Sequence, residues 1–331
     1  MKIPRPVAIL LRPASRVYER IVGWRNAKFE SGSWKAKRLR ATVISVGNLT
    51  VGGTGKTPMV LWLAEKLLAE GKNVAVLSRG YHGTAGTSDE VELLRSRLGD
   101  RVKFGVGADR YEAGSRLESQ SHIDVFILDD GFQHRQLARD LDILMLDGSR
   151  KLENEWVLPA GALREPISAV KRADILIVSR RFEKPWVEAS DAHKFSLFYA
   201  QTRLLGLRRF GTNSELSYAS EIADTRVLAF CGIGNPDAFF QDLERWHVPV
   251  VGRRTYRDHH KYSSADVRAI ERMAESVQAT ALITTEKDAQ NISGAFTMPV
   301  WVTTIDLVFT AEGELVATID RILDSRRGAA A

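Results

Sequence analysis

The fold is decided by residues 42–58, TVISVGNLTVGGTGKTP. Val43, Ile44 and Val46 form a short apolar, β-branched run, which predicts a buried strand. Glycines at 52, 53 and 55 follow, and a helix is predicted over residues 57–69, closed by Gly71. A strand, a glycine-rich loop and a helix in this order are typical of a loop that surrounds phosphate groups with backbone N–H donors.

The residue types of this loop predict a nucleotide triphosphate and a metal ion. Lys56 is placed to reach the β- and γ-phosphates, and the Thr57 hydroxyl is a ligand for Mg²⁺. A strict phosphate-loop pattern has glycine where this chain has Thr50, so a glycine-rich turn without nucleotide is the alternative. We expect the ATP site to consist of Thr50, Val51, Gly52, Gly53, Thr54, Gly55, Lys56 and Thr57.

Asp129 and Asp130 end a second apolar run, residues 125–128. Adjacent carboxylates stay ionised together when a cation or hydrogen-bond donors lie nearby, and phosphoryl transfer uses a carboxylate at the end of a strand to organise its metal. We therefore predict that Thr57, Asp129 and Asp130 are the Mg²⁺ ligands. The alternative is a solvated turn before Gly131.

Alternating apolar runs and helical stretches extend over most of the 331 residues. They predict an α/β fold: a P-loop NTPase-like parallel sheet flanked by helices over residues 41–185 and a smaller α/β part over 226–331. Between them, residues 186–225 are expected to form a linking β-hairpin region, with antiparallel strands at 195–200 and 203–207. The single cysteine, Cys231, excludes an internal disulfide and indicates a reducing compartment.

Residues 1–40 carry a net charge of +9, whereas the rest of the chain carries −3. Apolar residues at helical spacing up to Trp24 predict an amphipathic helix, with Pro13 in its first turn after a short leading turn. Such a basic helix can lie in the interface of an anionic membrane, or it can pack on the globular body. Because the basicity is local, a nucleic-acid partner is disfavoured, and no obligate protein partner is evident.

Eight separated blocks of the sequence resemble, in order, the tetraacyldisaccharide 4′-kinases of lipid A synthesis. The blocks are residues 46–58, 78–81, 89–94, 129–134, 158–166, 232–236, 258–260 and 284–289. Thr50 is what this family places at the missing glycine. The resemblance implies transfer of the ATP γ-phosphate, with Mg²⁺, to the 4′-hydroxyl of tetraacyldisaccharide 1-phosphate. The product is lipid IVA, and the site of action is the cytoplasmic face of the inner membrane, where the enzyme is peripheral and its substrate is an anionic glycolipid.

The resemblance also implies residue roles. By similarity, Asp89 is the general base and His259 its partner, although the adjacent His260 is hard to separate from His259. Lys56 completes the catalytic set. Further site candidates are Tyr81 and His134, which would shape the site, Arg164 and Glu165, expected near the phosphates or metal, and Arg79, whose guanidinium can bind phosphate or form a surface salt bridge.

Two other functions are consistent with the same phosphate loop. A membrane-attached P-loop ATPase switch would hydrolyse ATP to regulate a partner, but such switches usually carry a lysine before the glycine pair, where this chain has Val51. A nucleotide-binding scaffold would bind ATP without turnover. Replacing Asp89 would leave that scaffold intact, so Asp89 discriminates it from a kinase.

Overall fold

The computed structural model describes residues 5–80, 88–149, 152, 155–180, 195–212 and 215–330. Within these ranges the helices are α1 (Arg5–Glu30), α2 (Lys56–Ala69), α3 (Asp89–Leu98), α4 (Arg110–Gln120), α5 (Pro236–Arg245), α6 (Ser264–Ser276), α7 (Glu286–Ala289) and α8 (Glu312–Ala330). The strands are β1 (Thr42–Asn48), β2 (Val74–Ser78), β3 (Lys103–Val106), β4 (Val125–Asp129), β5 (Leu141–Asp147), β6 (Ile175–Ser179), β7 (Ser196–Arg209), β8 (Val227–Cys231), β9 (Val250–Thr255), β10 (Ala281–Thr285) and β11 (Val300–Phe309).

The chain divides into two compact units. Unit 1 comprises Met1–Thr87, Leu94–Gln201 and Val308–Ala331, and unit 2 comprises Ser88–Leu93 and Thr202–Leu307. The strands of unit 1 lie in the order β3-β2-β4-β1-β5-β6-β7, and all neighbouring pairs are parallel. Every residue of β4, β5 and β6 is buried, as expected for parallel strands covered on both faces. The predicted parallel sheet is confirmed.

The centre of unit 1 brings together the ends of two strands that carry site residues. β1 and β4 are parallel neighbours, and Val46 lies opposite Asp129 in their register. Gly55, with φ of +90°, precedes α2, which buries seven residues and contacts β1 and β4. The loop from β1 to α2 therefore starts beside the end of β4, where parallel α/β sheets bind ligands.

Unit 2 has its own parallel strands, in the order β11-β10-β8-β9. Helix α6 contacts β8, and α5 contacts β9, so both bury apolar residues against these strands. Ser263 and Asp266 form the capping box that their spacing suggests at the start of α6. A second, smaller α/β part is therefore present, but its bounds differ from the predicted 226–331: it includes residues 88–93 and begins at 202, and residues 308–331 belong to unit 1.

The region after β6 differs from the prediction of a hairpin. Residues 195–200 and 203–207 were expected to be two antiparallel strands, but Ser196–Arg209 is one continuous strand, parallel to β6 along residues 196–200. Gln201 and Thr202, at the expected turn, are neither glycine nor asparagine, and two-residue hairpin turns require residues that accept positive φ. The predicted hairpin is therefore wrong, and residues 196–209 form one strand.

Helix α1 is longer at its start than predicted, because Pro13 lies inside it rather than in its first turn. Proline removes one intrahelical hydrogen bond, and Pro13 lies on an exposed part of the helix. Ser15, Val22 and Asn26 of the same helix are buried against unit 1, and this packing stabilises the helix beyond the proline. In the described part of the chain, no helix has the length and apolarity to cross a bilayer.

Candidate active site

The shape of the glycine-rich loop of unit 1 depends on its glycines and on the side chain of Asn48. Gly52 has φ of +110° and Gly55 of +90°, conformations that only glycine adopts without strain. The buried Asn48 amide donates to the Thr54 hydroxyl over 2.9 Å and faces the Gly52 carbonyl at 3.4 Å. The shape of the loop is therefore set by internal hydrogen bonds, which leaves it preformed for phosphate.

Lys56 and Arg164 converge on Asp130. Lys56 Nζ lies 3.5 Å from the carboxylate, and Arg164 Nη1 lies 2.8 and 2.6 Å from its two oxygens. Burial alone would raise the pKa of Asp130, but the charges of Lys56 and Arg164 hold it below its usual value. Asp130 has φ of +52°, an uncommon conformation outside glycine. Lys56 of the loop and Arg164 of a separate segment thus place two cations beside an ionised carboxylate.

A third group of unit 1 surrounds His134. Its Nδ1 lies 3.3 Å from Arg110 Nη1. Burial, together with the positive charges of Arg110 and Arg139, lowers the pKa of His134 to about 4, so the imidazole is neutral near pH 7. Arg79 adds to the positive potential at this ring. Tyr81, predicted to line the same region, lies outside the described residues.

In unit 2, Asp89 and His259 form a close pair. His259 Nδ1 lies 3.0 and 2.9 Å from the two oxygens of Asp89, and the Asn291 amide donates to Asp89 over 3.1 Å. His260 instead stacks on the Tyr256 ring and faces Asp266, 3.4 Å from its Nε2 atom. Of the two histidines that the sequence left open, the structure brings His259 to Asp89.

The electrostatics of this pair favour a charged imidazole beside a charged carboxylate. The hydrogen bond with Asp89 raises the pKa of His259, although burial and Lys287 oppose that rise. Burial would raise the pKa of Asp89, but the bond from His259 and the charge of Lys287 outweigh burial and lower it. The carboxylate is therefore ionised and oriented, as a group that receives a proton must be.

Comparison with known proteins identifies the family of this chain. The family model for tetraacyldisaccharide-1-P 4′-kinase matches residues 7–324. This chain belongs to the tetraacyldisaccharide-1-P 4′-kinase family. Tetraacyldisaccharide 4′-kinases of Geobacter metallireducens and Geobacter sulfurreducens are 36% and 37% identical to it, over 97% and 96% of this chain and 100% and 93% of their own lengths.

A solved structure is also similar over nearly the whole length. The crystal structure of the family member LpxK from Aquifex aeolicus, in complex with ATP, is 30% identical. It covers 96% of this chain and 99% of its own chain, with a TM-score of 0.74. The family and the parallel α/β fold therefore agree with those predicted from the sequence.

Asp129 and Thr57 could hold the Mg²⁺ ion that the sequence predicts at the phosphate loop of unit 1. Asp129 is buried at the end of β4, 3.4 Å from the Ser78 hydroxyl, and Thr57 lies in the first turn of α2. Among the described residues, no group of three or more His, Cys, Asp and Glu could hold a metal ion by itself. Mg²⁺ beside phosphates commonly uses only one or two carboxylates, so Asp129 with Thr57 suffices, whereas both oxygens of Asp130 already face Arg164.

Glu165, expected near the phosphates or metal, lies elsewhere. Its side chain is fully buried, and it accepts hydrogen bonds from Asn26 of α1 and from Arg172, each over 2.7 Å. Its neighbour Arg164 instead donates to the Asp130 carboxylate, which Lys56 of the phosphate loop also faces. Arg164 and Glu165 are adjacent in the sequence, but their side chains contact different partners.

Several residues of the candidate site were missed by the sequence analysis. Lys287 Nζ lies 3.4 Å from each of Glu90 Oε1, Asp258 Oδ1 and His259 Nε2, and 3.9 Å from Asp89. The available signal was the charged run 286–288 directly after the apolar strand β10. Asn48, which shapes the phosphate loop, was also passed over, although it directly precedes that loop.

Asp288, next to Lys287, is a further missed residue that acts on the backbone near His259. It accepts from the Gly232 N–H over 2.7 Å and from the Tyr262 hydroxyl over 2.8 Å. The Gly232 carbonyl in turn accepts from the His259 N–H over 3.0 Å. His259 has φ of +59°, so these bonds hold a conformation that is otherwise unfavourable.

Proposed function

We propose that this chain transfers the γ-phosphate of ATP to the 4′-hydroxyl of tetraacyldisaccharide 1-phosphate and so forms lipid IVA. The observation that carries the proposal is the Asp89–His259 contact, at 2.9 Å, in a chain whose other unit holds a phosphate loop. A sugar hydroxyl is a weak nucleophile until a base takes its proton, and an oriented carboxylate is suited to that task. Membership in the kinase family supports the acceptor.

The roles of the residues follow from their chemistry. Asp89 accepts the hydroxyl proton as the acceptor oxygen bonds to the γ-phosphorus, and the bond from that phosphorus to the β–γ bridging oxygen breaks. His259 donates to Asp89 and keeps the carboxylate oriented. Lys56 and Arg164 stabilise the negative charge that gathers on the phosphates. Mg²⁺, which Asp129 and Thr57 would hold, supplies further charge neutralisation when bound.

The outward face of α1 supports a peripheral site on the cytoplasmic face of the inner membrane. Val7, Leu10, Val17, Ile21 and Trp24, here called the α1 stripe, are all exposed, and Leu10 is 79% exposed. Their spacings of three, four and seven residues place them on one side of the helix. Arg16 and Arg20 are exposed on the same helix and can meet anionic headgroups. Contact with a membrane and packing on the globular body are therefore compatible, because a different face of this helix packs on the rest of unit 1.

The function is tested by following the phosphate. Purified protein is incubated with γ-labelled ATP, Mg²⁺ and tetraacyldisaccharide 1-phosphate in detergent, and lipids are separated from free phosphate. We expect label in the lipid, and we expect Lys56→Ala to abolish most of it. Lys66→Ala, a substitution of an exposed lysine of the same helix, is the matched control. Label in free phosphate alone would favour the ATPase switch, and ATP binding without any transfer would favour the scaffold.

A further inference from the structure

The segment 157–165 of unit 1 lies along the first half of the phosphate loop. The Arg164 N–H donates to the Leu49 carbonyl over 2.7 Å, and the Val51 N–H donates to the Ala162 carbonyl over 2.8 Å. An antiparallel bridge joins Thr50 to Leu163 between these two bonds. The 157–165 segment therefore fixes the backbone of residues 49–51, directly before the glycines that surround the phosphates.

Helix α1 holds the same segment from its other side. The Ser15 hydroxyl donates to the Val157 carbonyl and accepts from the Ala160 N–H, both over 2.9 Å. The Tyr18 hydroxyl donates to the Arg164 carbonyl over 3.0 Å. Ser15 is fully buried, so no water can replace it as the partner of these two backbone groups.

One further contact ties the segment's end to α1. Asn26 donates to the buried Glu165 over 2.7 Å, and Arg172 meets the same carboxylate oxygen at 2.7 Å. The backbone of residues 164 and 165 is thus clamped between α1 and the loop. The Arg164 guanidinium projects from this clamped backbone to Asp130, which Lys56 also faces.

We propose that Ser15 and Tyr18 of α1 are positioning residues for ATP binding, acting through the 157–165 segment on the phosphate loop and on Arg164. This inference deepens the proposed function and rests on ATP binding by the loop. It gives α1 two tasks on two faces: the α1 stripe faces outward, and the inward face sets the backbone beside the nucleotide. A helix that served only as an anchor would need no polar contacts with this segment.

The test measures nucleotide affinity without lipid, so that membrane binding does not enter. The full chain is titrated with a fluorescent ATP analogue and Mg²⁺ in detergent. Tyr18→Phe keeps the ring and removes only the hydroxyl, and we expect it to raise the Kd about threefold to tenfold, the effect of one lost hydrogen bond. Ser15→Ala should act in the same direction. Tyr199→Phe, the same substitution on β7, should leave the Kd within about twofold, below the effect of one hydrogen bond.

A second measurement separates positioning from general loosening. In an Arg164→Ala background, Tyr18→Phe should lose much of its effect, because part of its action passes through Arg164; equal effects in both backgrounds would contradict that route. Unchanged Kd in both Tyr18→Phe and Ser15→Ala, with wild-type protein that binds the analogue, would overturn the inference. A wild-type protein that binds the analogue but labels no lipid would overturn the proposed kinase instead.

Discussion

His259 Nδ1 lies 2.9 Å from Asp89 Oδ2, although the two residues are 170 positions apart in the chain. Asp89 is the first residue of α3, and His259 follows β9 on a backbone with positive φ. Such a conformation costs energy of order 1–3 kcal/mol and persists where surrounding contacts hold it. Here the Gly232 carbonyl accepts from the His259 N–H, and Asp288 in turn accepts from the Gly232 N–H.

Replacing Asp89 with asparagine tests its role as the base. The amide has nearly the same size but cannot take the hydroxyl proton, so we expect kcat to fall about 10²- to 10⁴-fold. The KM for ATP should change little, since the phosphate loop is untouched. Steady-state kinetics at saturating glycolipid measure both constants. Asp100→Asn, at an exposed site after α3, serves as the control; a defect confined to the KM for ATP would reassign Asp89 to nucleotide binding.

Lys287 should set the acidic limb of the pH profile. Its positive charge contributes to lowering the pKa of Asp89, and the base works only when ionised. Activity is therefore lost as pH falls through the pKa of the Asp89–His259 pair. Lys287→Met removes the charge, raises that pKa and should move the acidic limb of kcat to higher pH.

Among the described residues, Lys287 faces Glu90, Asp258 and His259 as well as Asp89, and His259 and Lys287 are the charged groups that act on Asp89. Lys287→Arg keeps the charge and should restore the wild-type limb. Lys103→Met, at an exposed position on β3, should leave the profile unchanged. An unshifted limb in Lys287→Met, with reduced activity at every pH, would mean that Lys287 acts by packing and not by charge.

The α1 stripe should govern binding to anionic vesicles. Leu10 and Ile21 are 79% and 59% exposed, and burying such a side chain in lipid is worth about 1.5–3 kcal/mol. The double variant Leu10→Ser with Ile21→Ser should therefore weaken sedimentation with anionic vesicles at least about tenfold. Leu216→Ser, which removes an exposed leucine of unit 2, is the control. Added salt should weaken wild-type binding because it screens the arginines.

Gly47, in β1 just before the phosphate loop, should tolerate no side chain. A Cβ atom there would lie 2.5 Å from Phe132 Cβ and 2.7 Å from the Phe132 backbone nitrogen. We expect Gly47→Ala to lower the free energy of unfolding by about 1–3 kcal/mol, as other overpacked sites do. In contrast, Gly23→Ala has open space on exposed α1 and should stabilise the helix by about 0.5–1 kcal/mol. Thermal unfolding of both variants measures the difference, and equal stabilities would show that Phe132 moves aside freely.

The phosphate loop was predictable because its signal is local. Lys56 and Thr57 follow the glycines directly, and Asp129 ends an apolar run that can only be a buried strand. Asp89 and His259 came from resemblance, since no spacing along the chain relates positions so far apart. Lys287 escaped attention because its partners come from two distant segments, one at Glu90 and the other at Asp258 and His259.

Two errors have equally specific causes. Pro13 suggested that the helix starts near this residue, because proline is unfavourable inside a helix. This local preference is overridden by the packing of Ser15 and Val22 on the rest of unit 1. The predicted hairpin after β6 assumed a turn where Gln201 and Thr202 offer none.

Apolar periodicity and the glycine-rich run were enough to determine a parallel α/β protein with a preformed phosphate loop, because both depend on residues only a few positions apart. Only the tertiary structure decided three other features. It set the partners of Glu165 and brought His259, rather than His260, to Asp89. It also divided α1 into an inward polar face and an outward apolar stripe. Each of these depends on contacts between distant segments, and the energy of such a contact exists only once packing has brought its two side chains together.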